Sequence, residues 1–317
     1  MEIVTLHYPL QLTDEQHISR PKTIAIGHFD GVHLGHKNVI RRAVESARVE
    51  GLQSAVMTFH PHPKEVLGQG DQYVTCLTPL ADKIDRFRQL GVDVVYIVQF
   101  DLTFAAVTPE AFVTNILTPL HVRRAVVGFD FSFGARGAGT TETLRVLCEP
   151  NDIAVDIIDP FLQDGAKVSS TRIRECLSAG EVKQSAQLMG TAYAVTGTVM
   201  HGEGRGRTIG FPTANVELSA PYVVPRLGVY AIFVQVDGQR YSGVLNIGKK
   251  PTFHDDLPKP VFEAHLFDFA GDLYGKQMDI HFIDFLRAEQ KFSSIDQLIA
   301  QIHSDAQQAR TILSAII

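Results

Sequence analysis

Two histidines spaced three apart, His33 and His36, are the side chains of this 317-residue chain best suited to handling phosphate. They end the segment Gly27-His-Phe-Asp-Gly-Val-His-Leu-Gly-His36, which follows an apolar run and leads into a helical pattern. A helix start offers unpaired backbone N–H groups and about +0.5 of an elementary charge, which favours a triphosphate. The glycines of the segment, among them Gly35, permit tight turns and close backbone approach. The spacing therefore predicts a phosphate site where a strand turns into a helix.

A second polar element, Lys167-Val-Ser-Ser-Thr-Arg-Ile-Arg174, combines hydroxyls and cations at the start of another helical pattern. Ser170 and Thr171 can donate hydrogen bonds to phosphate oxygens, and Lys167 with either Arg172 or Arg174 can neutralise their charge. The spacing leaves open which arginine does so. The alternative interpretation is an N-capped helix with a solvated basic face.

A glycine-rich stretch in the second half of the chain offers another phosphate-binding arrangement, although it is not a Walker motif. Its glycines include Gly204, Gly206 and Gly210, and it ends in Pro212-Thr-Ala-Asn215. Thr213 and Asn215 are two apart on an extended segment, so their oxygens point the same way and suit a hard cation such as Mg²⁺. The alternative is a hairpin loop with a polar tip.

Composition narrows the function classes. The chain is 45% hydrophobic and 20% charged, which is typical of a folded globular protein. Its net charge of −6 argues against binding to nucleic acid through the chain as a whole. The first ten residues lack a basic start followed by a long apolar run, and three scattered cysteines suit reduced thiols, so we expect a cytoplasmic protein without a membrane partner.

The elements that position these residues fall into two halves. In the first, short apolar runs alternate with amphipathic segments at 38–50 and 79–90, which is the βαβ rhythm of a parallel sheet covered by helices. Ligands of such sheets bind outside the carboxyl ends of the strands, where the histidine segment lies. The candidate strands cover residues 23–26, 53–59, 92–100, 124–127 and 153–158.

The second half has a different composition: its short segments are rich in Val, Ile, Phe and Tyr and are interrupted by Gly, Asp and Pro. These segments predict an antiparallel barrel or sandwich, covered by a helix over 294–317. We place the domain boundary between residues 186 and 187, after a helix over 170–179. The candidate strands cover residues 192–200, 228–236, 241–247, 261–267 and 277–285.

Four ordered motifs of the first half resemble the adenylyltransferase module of bacterial bifunctional riboflavin kinase/FAD synthetases. They are the histidine segment, Thr58-Phe-His-Pro-His-Pro63, Val127-Gly-Phe-Asp-Phe-Ser-Phe-Gly134 and Val168-Ser-Ser-Thr-Arg-Ile-Arg174. The resemblance implies a Rossmann-like nucleotidyltransferase domain that joins AMP from ATP to FMN. It further implies that His33, His36 and Ser170 are catalytic, that Asp130 and Phe133 hold the flavin, and that the nucleotide is bound by Gly27, Phe29, Gly35, Lys167, Thr171 and Arg172.

The second half resembles the riboflavin kinase module of the same family, through Gly206 to Asn215 and through Glu263-Ala-His-Leu-Phe-Asp-Phe269 and Phe285-Leu-Arg-Ala-Glu-Gln-Lys-Phe292. That module is a six-stranded antiparallel barrel with a terminal helix. The resemblance implies that Glu263 is the base for the ribityl hydroxyl of riboflavin and that Arg287 contacts the flavin. It implies ATP contacts at the three glycines named above and Mg²⁺ at Thr213 and Asn215.

Several further interpretations remain at this stage. His60 and His62 lie in a proline-rich turn, where a metal site or a plain structural loop would fit. The H-x-G-H and K-V-S-S elements also occur in aminoacyl-tRNA synthetases, but the acidic balance argues against a tRNA partner. A flavin-sensing regulator would need a DNA-reading helix, which the sequence does not indicate. We expect ATP, riboflavin and FMN as substrates, Mg²⁺ as cofactor, and a monomer or weak homo-oligomer.

Overall fold

The computed structural model describes residues 1–10, 20–68, 74–202, 206, 210–249 and 260–316. The fold divides into two compact units, Met1–Ser170 and Thr171–Ile317. In the part of the chain that is described, no helix is long and apolar enough to cross a membrane.

The first unit is built on a parallel six-stranded sheet in the order β1-β4-β3-β2-β5-β6. β2 and β4 are buried along almost their whole length, as both faces of a parallel sheet covered by helices must be. The strands are β1 (Glu2–Leu6), β2 (Lys22–Ile26), β3 (Gln53–His60), β4 (Val94–Gln99), β5 (Val122–Gly128) and β6 (Ala154–Ile158).

Helices of the first unit connect these strands. α1 (Leu34–Glu50) ends at Gly51, whose left-handed conformation (φ 66°) lets the chain turn back into β3. Among the described residues of this unit, β2 contributes side chains to two hydrophobic clusters. The other helices are α2 (Pro63–Val66), α3 (Leu80–Gln89), α4 (Leu102–Ala105), α5 (Pro109–Phe112), a π turn (Val113–Leu117) and α6 (Thr141–Cys148), with 3₁₀ turns at Ala135–Gly137 and Glu149–Asn151.

The prediction of a parallel α/β first half is confirmed, and its five candidate strands match β2 to β6. The sequence analysis missed β1, an edge strand parallel to β4. β1 is short, and two of its five residues are exposed, so its apolar signal is weak. A small hairpin, β7 (Leu162–Gln163) with β8 (Ala166–Lys167), was also missed, although its Asp164-Gly165 turn is typical of two-residue hairpins.

The second unit contains a closed antiparallel barrel in the order β10-β13-β12-β11-β14-β9, so the prediction of a barrel is confirmed. β10 was expected only as an extended segment. The strands are β9 (Ala194–Met200), β10 (Ala214–Leu218), β11 (Gly228–Val236), β12 (Gln239–Lys249), β13 (Pro260–Leu266) and β14 (Gln277–Arg287).

The predicted terminal helix is present as α9 (Ile295–Ser314). Ala309 and Leu313 of α9 pack on Val229, Ala231 and Phe233, which lie on the outer face of β11. Because α9 covers that face while the inner face points into the barrel, β11 is buried on both sides. This double burial explains why its sequence is continuously apolar rather than alternating.

Two helices, α7 (Ser170–Ala179) and α8 (Val182–Met189), lie between the sheet and the barrel in the sequence. The division between the compact units falls after Ser170, the first residue of α7, whereas the boundary predicted from the sequence lies after this helix. Lys183 of α8 forms an ion pair with Asp284 of β14 (N–O 2.7 Å), so α8 is attached to the barrel. The boundary at residue 186 stays a prediction.

Candidate active sites

The histidine segment lies at the switch point of the parallel sheet. β2 has β3 on one side and β5 on the other, so the carboxyl ends of β2 and β5 open the crevice in which such sheets bind ligands. The segment 27–36 follows β2, and the segment 129–134 follows β5. Phe29, Gly31 and Val32 all have positive φ angles (56°, 88° and 41°). Backbone strain of this kind is concentrated at functional sites.

His33 is the N-cap of α1. Its Nδ1 accepts a hydrogen bond from the backbone N–H of His36 (3.3 Å), and its side chain is buried. Because an accepting Nδ1 must carry a lone pair, the neutral ring has its proton on Nε2. Burial lowers the pKa of His33 to about 4, so the ring is neutral at neutral pH. His33 therefore offers an N–H donor, not a charge, to a ligand.

The His36 ring stacks on the His33 ring, with centroids 3.6 Å apart and planes 18° apart. Burial, with the neighbouring His33 and Lys83, lowers the pKa of His36 well below its usual range. The Nδ1 atom of His36 is buried and has no hydrogen-bond partner among the described residues. An orphaned buried nitrogen of this kind is the feature expected where a ligand supplies the missing partner.

Phe29 and Gly27 pack tightly against each other inside this segment. The Phe29 ring is 3% exposed and packs edge-on against His36 and Phe87. A Cβ at Gly27 would lie 2.9 Å from that ring, so position 27 has no room for a side chain. The predicted nucleotide contacts of these two residues would thus have to come from their backbones.

Asp30 connects the segment 27–36 to neighbouring parts of the first unit through hydrogen bonds. Its Oδ1 accepts hydrogen bonds from the backbone N–H groups of Leu77 and Thr78, just before α3. Its carbonyl oxygen accepts a hydrogen bond from the Ser170 hydroxyl (2.8 Å), so the two predicted phosphate-binding elements are joined directly. Lys83 of α3 is 4% exposed and donates to the carbonyl of His28 (3.0 Å). Burial lowers the pKa of Lys83 to about 8, against the opposing attraction of Asp30.

Lys167 lies at the end of the β7–β8 hairpin. Its ammonium group pairs with Asp130 (2.5 Å) and lies 4.5 Å from the centre of the Phe129 ring. Both partners of the ion pair are exposed, at 42% and 59%. Exposed pairs of this kind stabilise a fold by at most about 1 kcal/mol, so an incoming phosphate can replace the carboxylate. Thr171 and Arg172 follow Ser170 on α7.

Some predicted site residues of the first unit have other surroundings. The Phe133 ring is 6% exposed and lies in the larger hydrophobic cluster, stacked on Phe131. His62 caps the short helix α2, and its ring contacts the His28 ring with the ring centroids 3.9 Å apart. The cap of α2 is a structural role for His62, and among the described residues no group of three His, Cys, Asp or Glu side chains could hold a metal ion.

In the barrel, three polar side chains lie next to one another on neighbouring strands. Glu263 of β13 pairs with Asn215 of β10 on one side and with Asn246 of β12 on the other. All three are half-buried, while the alternate residues Phe262 and Ala264 point into the core. The carboxylate and two amides thus lie side by side on the outer face of the barrel.

Glycines approach these polar residues closely. A Cβ at Gly202 would lie 1.9 Å from Nδ2 of Asn215, and a Cβ at Gly206 would lie 3.2 Å from Oγ1 of Thr213. The backbone at both glycines therefore runs against the two side chains predicted to bind Mg²⁺. Thr213 and Asn215 supply a hydroxyl and an amide oxygen, hard ligands that fit Mg²⁺ sharing its coordination with ATP phosphates. Gly210 is exposed with φ 83°, and Gly204 lies outside the described residues.

Arg287 makes a different contact from the predicted one. Its Nε and Nη2 donate to the carboxylate of Asp305 on α9, and its Nη1 donates to the carbonyl of Ala288. Asp305 is only 4% exposed, and Gln301 also donates to it. Arg287 therefore joins β14 to α9, and its contact with a flavin stays a prediction.

The sequence analysis missed Asp30, Lys83 and Asn246 as site residues. Lys83 had a usable signal, because it occupies the apolar stripe of α3 with Leu80, Ile84 and Phe87, where a lysine is unusual. Asp30 was part of the quoted segment, but its side-chain contact with residues 77 and 78 depends on tertiary structure. Asn246 begins the segment Asn246-Ile-Gly-Lys-Lys-Pro-Thr-Phe253, which also resembles the riboflavin kinase module, but its place beside Glu263 follows only from the register of β12 with β13.

Two family models match this chain, in the same order as the two compact units. The FAD synthetase model matches residues 15–172, and the riboflavin kinase model matches residues 189–313. Residues 173–188, between the two matches, include most of α7 and nearly all of α8.

Curated relatives match nearly the whole chain. A bifunctional riboflavin kinase/FMN adenylyltransferase of Listeria monocytogenes is 41% identical over 100% of this chain and 99% of its own length. The protein of the same description from Bacillus subtilis is 42% identical over 98% of this chain and 97% of its own length.

Among solved structures, one described as a macrolide-efflux protein from Streptococcus pneumoniae is similar with a TM-score of 0.87 and 32% identity. The likeness covers 97% of this chain and 99% of that one. Its description concerns that protein, and the likeness to this chain is one of sequence and fold.

Proposed function

The chain belongs to the family of bifunctional riboflavin kinases/FMN adenylyltransferases, and from this premise we propose which residues carry each activity. As a member of that family it phosphorylates riboflavin with ATP to give FMN, and it transfers the adenylyl group of a second ATP to FMN, giving FAD and pyrophosphate. We assign adenylyl transfer to the site at the end of the parallel sheet and phosphorylation to the outer face of the barrel.

Adenylyl transfer needs placement and charge neutralisation more than a base. The attacking group is a phosphate oxygen of FMN, which is already anionic at neutral pH. It forms a bond to the α-phosphorus of ATP while the bond to the β-phosphate oxygen breaks and pyrophosphate leaves. Catalysis therefore depends on in-line positioning and on donors that meet the charge developing on the phosphates.

The stacked pair His33 and His36 supports this assignment most directly. Both rings are neutral, and they lie with Asp30 and Ser170 at the switch point of the sheet. A histidine with a pKa of about 4 is a hydrogen-bond donor to phosphate, not a general acid, at neutral pH. Lys167 supplies mobile positive charge after leaving Asp130, and Ser170, Thr171 and Arg172 add donors from the start of α7.

Phosphorylation of riboflavin does need a base, because an alcohol is a poor nucleophile. We assign that role to Glu263, which accepts the proton of the terminal ribityl hydroxyl. The hydroxyl oxygen forms a bond to the γ-phosphorus of ATP while the bond from that phosphorus to the β,γ-bridging oxygen breaks and ADP leaves. A positioned carboxylate contributes on the order of 10²–10⁴ in rate. The pairing of Asn215 with Glu263 in the barrel register supports the assignment, since it sets an ATP-side ligand beside the base.

Thr213 and Asn215 would hold Mg²⁺ together with the phosphates of ATP, and the glycines at 204, 206 and 210 would lie along those phosphates. When bound, Mg²⁺ neutralises charge on the transferring phosphoryl group. For the flavin we keep Asp130, Phe133 and Arg287 as proposed contacts. The burial of the Phe133 ring favours a supporting role beneath Phe131.

We further propose a cytoplasmic enzyme that acts as a monomer or weak homo-oligomer without a nucleic-acid partner. The net charge of −6 opposes attraction to nucleic acid. Cys148 and Cys176 are free, buried thiols, which suits a reducing compartment.

The assignment of the kinase site is tested by Glu263→Gln, which keeps the shape of the side chain and removes its basicity. We expect riboflavin phosphorylation to fall at least about 100-fold while adenylyl transfer to supplied FMN is unchanged. Glu217→Gln, at an exposed position of β10 in the same barrel, is the matched control. Separation of riboflavin, FMN and FAD after incubation with ATP and Mg²⁺ reports both activities, and a fully active kinase in Glu263→Gln would remove this residue from the mechanism.

A further inference from the structure

Backbone pairing between β10 and β13 ends between the two predicted ATP ligands, so that Asn215 lies inside the paired region and Thr213 lies outside it. Ala214 pairs with Ala264 and Asn215 with Glu263. Continued by one residue, this register places Thr213 opposite His265. Pro212, the next residue, has no N–H group, so the backbone cannot donate to β13 from that position. The Pro212–Thr213 segment therefore needs another attachment if Thr213 is to be held in place.

His265 supplies such an attachment through its side chain. Its Nδ1 lies 2.8 Å from the carbonyl oxygen of Pro212. Because a carbonyl oxygen only accepts hydrogen bonds, the Nδ1 of His265 must donate. This requirement fixes the position of the proton on the neutral ring, which carries it on Nδ1.

Aromatic neighbours hold the His265 ring in this orientation. Phe211, adjacent to Pro212, meets the ring edge-on at 5.5 Å between centroids, and Phe267 does so at 5.8 Å. His303 of α9 in turn contacts Phe211 at 4.7 Å. Phe211, which lies just before β10, is thus packed against β13 and α9. The ring cluster that holds it there also contains His265, Phe267 and His303.

We propose that His265 is a positioning residue of the kinase site, whose Nδ1–H holds Pro212 and so sets Thr213 and Asn215 beside Glu263. The inference rests on the proposed function, in which Thr213 and Asn215 serve Mg²⁺–ATP. His265 and Glu263 are two apart on β13 and both half-buried on its outer face, so one strand carries the base and the anchor of the ATP ligands. Thr213 itself is exposed.

Loss of this hydrogen bond affects ATP more than riboflavin, because Thr213 is on the ATP side of the site. In His265→Ala we expect the KM for ATP in the kinase reaction to rise about tenfold, equivalent to about 1.4 kcal/mol. The KM for riboflavin stays within about twofold. Adenylyl transfer, which we assign to the first unit, remains unchanged, and the unchanged KM for riboflavin reports that the barrel is intact.

Two further variants separate positioning from packing. His265→Asn places an N–H donor near the position of Nδ1 but loses the ring, so we expect it to recover most of the ATP affinity. His265→Phe keeps an aromatic ring in the cluster but has no donor, so it should behave like His265→Ala even if its thermal stability is normal. His281→Ala, at a half-buried histidine on the outer face of β14, is the matched control with an unchanged KM for ATP.

The measurement is steady-state kinetics of both reactions for all four variants, with melting temperatures. The inference is overturned if the KM for ATP is unchanged in His265→Phe, or if it rises in His265→Asn as much as in His265→Ala. Neither result affects the role of Glu263. If His265→Ala does not fold, the comparison of Asn with Phe decides the question. A fully active Glu263→Gln kinase would instead overturn the proposed function itself.

Discussion

The close approach of Gly202 to Asn215 gives a prediction whose size can be worked out from the structure. A Cβ at position 202 would lie 1.9 Å from Nδ2 of Asn215, whereas ordinary contact begins at 3.4 Å. Gly202→Ala therefore requires a displacement of 3.4 − 1.9 = 1.5 Å between the backbone at 202 and the Asn215 amide. If Asn215 is a ligand of Mg²⁺–ATP, that displacement moves it out of ligating range.

A misplacement of about 1 Å in a reacting assembly costs on the order of 100-fold in rate, or about 2.7 kcal/mol. We therefore expect kinase kcat/KM to fall about 100-fold in Gly202→Ala, with adenylyl transfer unchanged. The assay follows FMN formed from riboflavin and FAD formed from supplied FMN, separately and on the same preparation.

Gly238→Ala is a demanding control for this prediction. Gly238 has φ 74°, so alanine there is strained by about 1–2 kcal/mol, but its Cβ would meet nothing within 4 Å. It lies in the turn between β11 and β12, at the far end of that hairpin from the pair Val229–Asn246. Gly238→Ala should lower the melting temperature and keep both activities. Full kinase activity in Gly202→Ala would refute the argument that Asn215 must stay where the glycine leaves it.

Two other predictions concern stability. Because burial holds the pKa of His33 at about 4 in the folded state, against 6.5 when unfolded, the unfolded chain takes up this proton first and stability falls as the pH drops from 6.5 towards 4. At pH 5 this residue lowers the free energy of unfolding by about 2 kcal/mol. The control variant is His33→Asn, which retains an N-cap acceptor but cannot take up the proton, so urea unfolding of wild type and variant should differ in pH dependence by that amount. Identical pH profiles would contradict the buried neutral ring. Asp305→Ala leaves the guanidinium of Arg287 without its main partner and should destabilise the barrel by about 3 kcal/mol. Loss of riboflavin affinity in Arg287→Lys, without any loss of stability, would favour flavin contact over this structural ion pair.

Much of the fold follows from local sequence patterns. The alternation of apolar runs and amphipathic segments predicts a parallel sheet, and the β-rich second half predicts a barrel, because hydrophobic periodicity reflects which faces are buried. β1 escapes this reasoning since it is a short edge strand with exposed residues. The helix α8 was not predicted because it follows α7 after a short break at Gly180 and Glu181, and the predicted domain boundary falls within it.

The candidate sites can be predicted in part, where their residues belong to contiguous sequence motifs. His33, His36 and Ser170 are within contiguous motifs, and the hydrogen bond from Ser170 to the carbonyl of Asp30 joins those motifs. Contacts that arise from tertiary pairing, such as that of Asn246 with Glu263, cannot be located from the local sequence alone. The buried position of Phe133 and the Arg287–Asp305 pair are of this second kind, since both depend on what packs from distant parts of the chain.

The central claim is that the two reactions use separate sites, and His36→Asn tests it most directly. The substitution removes the stacked ring of His36 while leaving every barrel residue in place. We predict that FAD formation from supplied FMN and ATP falls at least about 100-fold and that the initial rate of riboflavin phosphorylation stays within twofold of wild type. An equal fall in both rates, in a protein whose melting curve is unchanged, would contradict the claim.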